Sequence, residues 1–320
     1  MPIVMLLGGF LLLGLGAELL VRGASGLAIR LGVSPIVVGL TIVSLGTSAP
    51  ELAVSIKSTL AGYSALALGN VVGSNIANIG LVLGVMALVS PIYIKRGSVM
   101  RDIPVAIGSF VLLLLLLLID GELAFIDGLA LTTGLVAFII YCYMTDGKEG
   151  EVSPPEVVVP KLQVLTHPLA INKNTPLALM LFVIGGLALL VYGSQLFVDG
   201  AVAIARLLGV SEAVIGLTLV AVGTSVPEFA TCLVAAWRGQ PDIAVGNVIG
   251  SNIFNVLGIL GITSLVGSIS SVQFSLVDFG VALAFSLVLL PLARTDFKLT
   301  RLEGALLLAG YCAYLIYLLL

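Results

Sequence analysis

The sequence predicts an all-α polytopic membrane protein: ten transmembrane helices forming two inverted five-helix repeats, with helices two and seven broken. Three observations carry this. Charged residues make up only 10% of the 320, and hydrophobic ones 59%, where a soluble domain has roughly 25% charged. With a mean hydropathy of +1.22, the chain cannot cover a water-facing surface, so lipid must surround most of it. Ten apolar stretches are long enough to cross a bilayer, and one block of sequence returns at a fixed offset. Soluble-enzyme, disordered, collagen-like and disulfide-rich classes are excluded, and a net charge of −3 leaves no basic footprint for nucleic acid.

The N-terminal run MPIVMLLGGFLLLGLGAELLVRG has no basic residue ahead of its apolar stretch, so it reads as a retained first span and not a cleaved leader. A crossing takes about 20 apolar residues. The spans fall at 3–21, 36–60, 67–90, 103–119, 124–144, 177–198, 213–236, 243–267, 275–293 and 303–320. Turn and charge signals separate them, among them Pro91, Lys95-Arg96-Gly97, Asp120-Gly121 and Arg294-Thr295-Asp296. The chain thus divides into a first repeat over 1–144, a short cytoplasmic linker over 145–176 and a second repeat over 177–320. Placing both termini outside puts twelve of the 14 Lys and Arg on the cytoplasmic side, leaving Lys57 and Arg206 opposite. A multi-pass protein of the cell membrane with that orientation is expected. Cys142, Cys232 and Cys312 lie in apolar runs without metal or disulfide spacing and read as small buried residues.

Residues 39–51, GLTIVSLGTSAPE, return 177 positions later at 216–228 as GLTLVAVGTSVPE. Residues 69–78, GNVVGSNIAN, return at 246–255 as GNVIGSNIFN. Five spans per copy is an odd number, so the second copy enters the membrane inverted. The charges agree: Arg22 aligns with Asp199, Arg101 with Asp278, Arg96 with Gln273 and Lys95 with Val272. Inverted repeats with a midplane site are a transporter architecture.

Intramembrane ionisable residues cost about 2.5–3.5 kcal/mol on insertion scales and need a reason. Glu51 and Glu228 occupy equivalent positions near the middle of spans two and seven. Lys57 can snorkel from its span end, and Glu18, aligned with Gln195, reads as a structural hydrogen-bonding group. Two close buried carboxylates either share a proton or bind cations. Pro50, Gly46 and Gly223 weaken the helices at Gly-Thr-Ser-x-Pro-Glu, which frees carbonyls around Thr47 and Thr224 beside the hydroxyls of Ser48 and Ser225. Thr47 and Glu51, four apart, would share a helix face. Carboxylate, carbonyl and hydroxyl oxygens suit Ca²⁺ or Na⁺; a soft metal would want His or Cys. The second motif places Asn70, Ser74 and Asn78 on one face, repeated as Asn247, Ser251 and Asn255. Its Gly69-x-x-x-Gly73 and Gly246-x-x-x-Gly250 pairs suit close helix packing, while Ser74, Ser251, Asn78 and Asn255 suit ligation.

GTSAPE with GNVVGSNIAN, and GTSVPE with GNVIGSNIFN, closely resemble the two α-repeats of the cation/Ca²⁺ antiporter superfamily, nearest to prokaryotic sodium/calcium exchangers. The resemblance spans both halves. It implies alternating-access exchange of Na⁺ against Ca²⁺, these ions being the transported substrates, with no cofactor and no enzymatic reaction. Ca²⁺ would be held by the carboxylates of Glu51 and Glu228 and the carbonyls of Thr47 and Thr224. Na⁺ sites would use Ser48, Ser74, Ser225 and Ser251 with carbonyls of Ser44 and Ala221, and Asn78 and Asn255 would complete the central set. The potassium-dependent branch has Asp at the position of Asn255, and the proton-coupled branch has GNxxE; this chain has Asn, GNVVG and GNVIG.

Two other readings stand beside this one. Paired carboxylates also bind protons, so an H⁺-driven cation antiporter is the alternative within the class. An intramembrane enzyme using two carboxylates as acid and base lacks HExxH or a nucleophile elbow, and the lone His167 lies in the linker.

Overall fold

The computed structural model describes residues 1–145, 175–209, 223–271 and 275–319. The expected linker, all but its ends, and the first half of span seven with Ala221 lie outside them.

In chain order the helices are α1 (Pro2–Leu31), α2 (Pro35–Thr47), α3 (Ala49–Leu60), α4 (Ser64–Val89), α5 (Ser98–Asp120) and α6 (Phe125–Thr145). The second half holds α7 (Pro176–Leu207), α8 (Val226–Trp237), α9 (Pro241–Val266), α10 (Leu276–Arg294) and α11 (Arg301–Leu319). Span two is α2 and α3, bent by 43° where they meet. Proline opens α3 and α8 within the first two positions, where a helix makes no use of the missing N–H.

The first and sixth spans run longer than their apolar cores, so Arg22, Arg30 and Arg206, expected in loops, lie on helices. Arg30 and Arg206 sit in last turns, where the helix dipole favours a cation. α1 ends on Gly32 at φ 67°, the left-handed conformation glycine adopts freely.

Equivalent helices of the two halves lie antiparallel and related by a pseudo-two-fold axis. A Cβ on Gly9 of α1 would come 2.7 Å from the Gly193 carbonyl of α7, and one on Gly16 would come 2.8 Å from that of Gly186. Gly186 and Gly193 are the 177-offset partners of Gly9 and Gly16, so the two contacts are one contact seen twice. The same relation joins Gly84 with Gly304 and Gly261 with Gly128, after a one-residue slip in the last span. It also joins two short ribbons: β1 (Ile92–Tyr93) pairs antiparallel with β4 (Lys298–Leu299), and β2 (Glu122–Leu123) with β3 (Ile269–Ser270).

α9 is buried along most of its length, opening only in its last turn at Val266, and α4 is buried along much of its own; they form the core on which the site is built. Outer helices present Phe10, Leu118, Ile126, Leu181 and Leu302 outward, as a chain immersed in hydrocarbon should. Cys312 is exposed on α11, so the expectation that all three cysteines are buried fails there; an outer helix turns a small apolar side chain to lipid at little cost. Charges assigned to one side by the sequence meet at one end of the bundle. Glu18 accepts from Arg22 and, at 2.7 Å, from Arg238 Nε, while Lys95 pairs with Asp242 at 2.8 Å.

Among the described residues the repeats differ in how their first helices pack. α1 packs along α8, whereas the described residues hold no comparable packing of α7 on α3. Val54 of α3 is accordingly 43% exposed, while its counterpart Thr231 of α8 is 0% exposed.

Candidate cation site

The site forms where the two broken spans face α4 and α9. Ser48, at φ −84° and ψ 7°, separates α2 from α3; Ser225, at φ −86° and ψ 3°, precedes α8. Each break places an acidic residue in the first turn of the half-helix that follows, Glu51 in α3 and Glu228 in α8. The positive end of each helix dipole lies beside its carboxylate, which helps a buried charge persist. Glu51 and Glu228 are each 1% exposed. Thr47 closes α2 and Glu51 lies in the first turn of α3, so the two flank the break and do not belong to one continuous helix.

Contacts across the repeats bring the two acids into one cage. Ser48 Oγ donates to Glu228 Oε1 at 2.9 Å, so a residue three before Glu51 touches the opposite carboxylate. Thr47 Oγ1 donates to Asn247 Oδ1 at 3.1 Å, and its counterpart Thr224 Oγ1 donates to Asn70 Oδ1 at 3.5 Å. Asn70 Nδ2 donates to the Glu51 carbonyl and to Ser55 Oγ, both at 3.1 Å. Asn247 Nδ2 faces Cys232 Sγ at 3.4 Å, since cysteine replaces Ser55 in the second copy. The Ser44 carbonyl accepts from Ser48 N–H at 3.0 Å and from the Thr47 hydroxyl at 3.4 Å. Ala221 lies outside the described residues.

Seven oxygens of the residues singled out by the two motifs are buried without a hydrogen-bond partner among the described residues: Oε2 of Glu51 and Glu228, Oγ of Ser74, Ser225 and Ser251, and Oδ1 of Asn78 and Asn255. An unmatched buried polar atom costs about 1–3 kcal/mol. Five of the seven are neutral oxygens and two are carboxylate, the donor set of a hard cation. Among the described residues no group of three or more His, Cys, Asp and Glu gathers as a metal cluster.

Two site residues escaped the sequence reading. Asn75 and Asn252, also 177 apart, face each other across the axis: Asn75 Nδ2 donates to the Asn252 carbonyl at 3.4 Å, and Asn252 Nδ2 to the Asn75 carbonyl at 3.5 Å. Their presence in both copies of GSN was the available signal. The sequence also gave no sign that π-helical turns run through Gly39–Val43, Asn78–Leu83 and Phe254–Leu260; such turns frequently mark functional sites. Packing by Gly246 and Gly250 is observed, since a Cβ on either would fall within 2.6 Å of the Ile36 or Leu40 carbonyl of α2, whereas Gly73 faces open space and the expected packing by the first pair fails there.

Two antiparallel repeats, a second span interrupted at Ser48, a helix that starts in the same way after Ser225, and oxygen-bearing side chains at their junction define an inverted-repeat membrane transporter. The chain belongs to the sodium/calcium exchanger protein family, whose model matches residues 1–144 and 178–320. Sodium/calcium exchanger MaX1 of Methanosarcina acetivorans is 35% identical over 341 residues, covering 98% of this chain and 97% of the relative. Inner membrane protein YrbG of Escherichia coli is 34% identical over 322 residues, covering 97% and 94%. A solved structure of the sodium–calcium exchanger NCX_Mj superposes with a TM-score of 0.82 at 32% identity, covering 99% of this chain and 98% of that one.

Proposed function

We propose that this chain is a secondary antiporter that exchanges Na⁺ for Ca²⁺ by alternating access, the ions sharing one cage at the junction of the repeats. The observation that carries the reading is the Ser48–Glu228 bond, which sets the break that leads into buried Glu51 directly against the buried acid of the other repeat. Glu51 and Glu228 supply the charge. Thr47 and Thr224 supply carbonyl oxygen, with Ser44, Ala221, Ser48, Ser225, Ser74, Ser251, Asn78 and Asn255 as neutral ligands around them.

Charge balance couples the ions. Two ionised carboxylates carry −2, which one Ca²⁺ cancels; several Na⁺ can do so only by using the neutral oxygens as well. Moving the bare pair through a closed, water-poor state is costly, so empty transitions are suppressed and each ion leaves only in exchange for the other. The difference between repeats supports alternating access. α1 covers α8 at the arginine end while α3 stays uncovered, and the inverse arrangement would close the opposite end. With both termini outside, this conformation is closed toward the cytoplasm. A cell-membrane location with a cytoplasmic 145–176 linker belongs to the same proposal.

Uptake of ⁴⁵Ca²⁺ into proteoliposomes under outward Na⁺, K⁺ or H⁺ gradients in turn tests it. The expected result is uptake with Na⁺ alone. Uptake driven equally by a proton gradient without Na⁺ would refute the assignment of the driving ion.

A further inference from the structure

Four buried asparagines form a closed reciprocal network at the pseudo-two-fold axis. Asn255 Nδ2 donates to Asn75 Oδ1 at 2.9 Å, and Asn78 Nδ2 to Asn252 Oδ1 at 3.0 Å. A backbone carbonyl can only accept, and this settles which way each amide points. Asn75 offers its nitrogen to the Asn252 carbonyl, so its oxygen faces Asn255. Asn255 must then give its own nitrogen to that oxygen, leaving Oδ1 as its remaining polar face. The mirror-related bonds impose the same order on Asn252 and Asn78. Asn78 Oδ1 and Asn255 Oδ1 are the two amide oxygens left buried and without a partner among the described residues.

We infer that Asn75 and Asn252 are positioning residues that hold the Asn255 and Asn78 amides with oxygen, and not N–H, turned toward the cation cage. A flipped amide would present two N–H groups to a cation and repel it. Each orienting residue acts across the axis, on the amide of the other repeat, so both halves of the site depend on the joined repeats. The inference rests on the cation-exchange reading of this cage and adds two residues to it.

The test is a double-mutant cycle in full-length protein, read as the Ca²⁺ KM of Na⁺-driven uptake, with the thermal unfolding midpoint in detergent recorded for each variant. Uptake by the wild type tests the exchange reading; coupling between variants tests the positioning. Asn255→Ala and Asn75→Ala are each expected to raise KM roughly fivefold, the effect of one lost hydrogen bond. The double variant should be no worse than Asn255→Ala alone. Asn252 and Asn78 should show the same coupling, while Asn75 with Asn78, on one helix, should multiply. A merely structural role lowers the unfolding midpoint without pair-specific coupling. Where Asn75→Ala is not recovered folded, Asn75→Ser runs the same cycle. Full multiplication in both cross-repeat pairs would overturn the inference.

Discussion

The arginine-end ion pair is expected to set the balance between the two access states. Glu18 of α1 accepts from Arg238 in the α8–α9 turn, with Arg238 Nε at 2.7 Å, and so ties the helix that covers α8 to the turn that follows it. The second repeat has no equivalent, since Gln195 and Ala61 stand at the matching positions. Glu18→Gln gives the first repeat the residue of the second. Arg22 also meets Glu18, but both lie on α1 and that contact survives any movement of the helix. The loss is therefore one partly exposed interhelical pair, about 1 kcal/mol, or about fivefold in the ratio of states. The assay is a spin-label distance between Ile29→Cys and Trp237→Cys, both exposed at this end, in protein with the native cysteines replaced. Glu18→Gln should increase the longer-distance population several-fold, and wild type in about 1 M salt, where screening falls to about 3 Å, should move the same way. Identical distance distributions in variant and wild type at low salt would refute the reasoning.

Ser48→Ala removes a charge-assisted bond to Glu228 and should weaken apparent Ca²⁺ affinity about tenfold, about 1.4 kcal/mol, read from uptake titrations. Acid should act in the same direction. Only ionised carboxylates balance Ca²⁺, so the Ca²⁺ KM should rise as pH falls from neutral to mildly acidic, and a flat profile would contradict proton competition. Gly16→Leu drives a side chain into the Gly186 carbonyl of α7, where even a Cβ would lie 2.8 Å away. It should cost about 3 kcal/mol or more and appear as a lowered unfolding midpoint in detergent.

The repeat and the break of span two were legible because their signals are local. Pro50 and Pro227 announce a new helix start, and a 177-residue offset held over more than fifty residues places Glu51 opposite Glu228. Span ends were less legible. Arg22 read as lying beyond the first apolar run, yet α1 continues to Leu31, with Gly23 and Gly26 packed closely on Leu179 of α7. The roles of Asn75 and Asn252 were hidden for another reason. Helical spacing sorts Asn70, Ser74 and Asn78 onto one face and leaves Asn75 off it, whereas its role arises from a partner 177 residues away. The asymmetry between α1 on α8 and α7 on α3 is a property of one conformation, which no periodicity encodes.

Glu51 and Glu228, from opposite repeats, are proposed to share one cation. Calorimetric titration of the purified protein with Ca²⁺, at neutral pH and without Na⁺, measures it directly. One Ca²⁺ per chain is expected, lost alike in Glu51→Gln and in Glu228→Gln. Binding at unchanged affinity in either variant would contradict it.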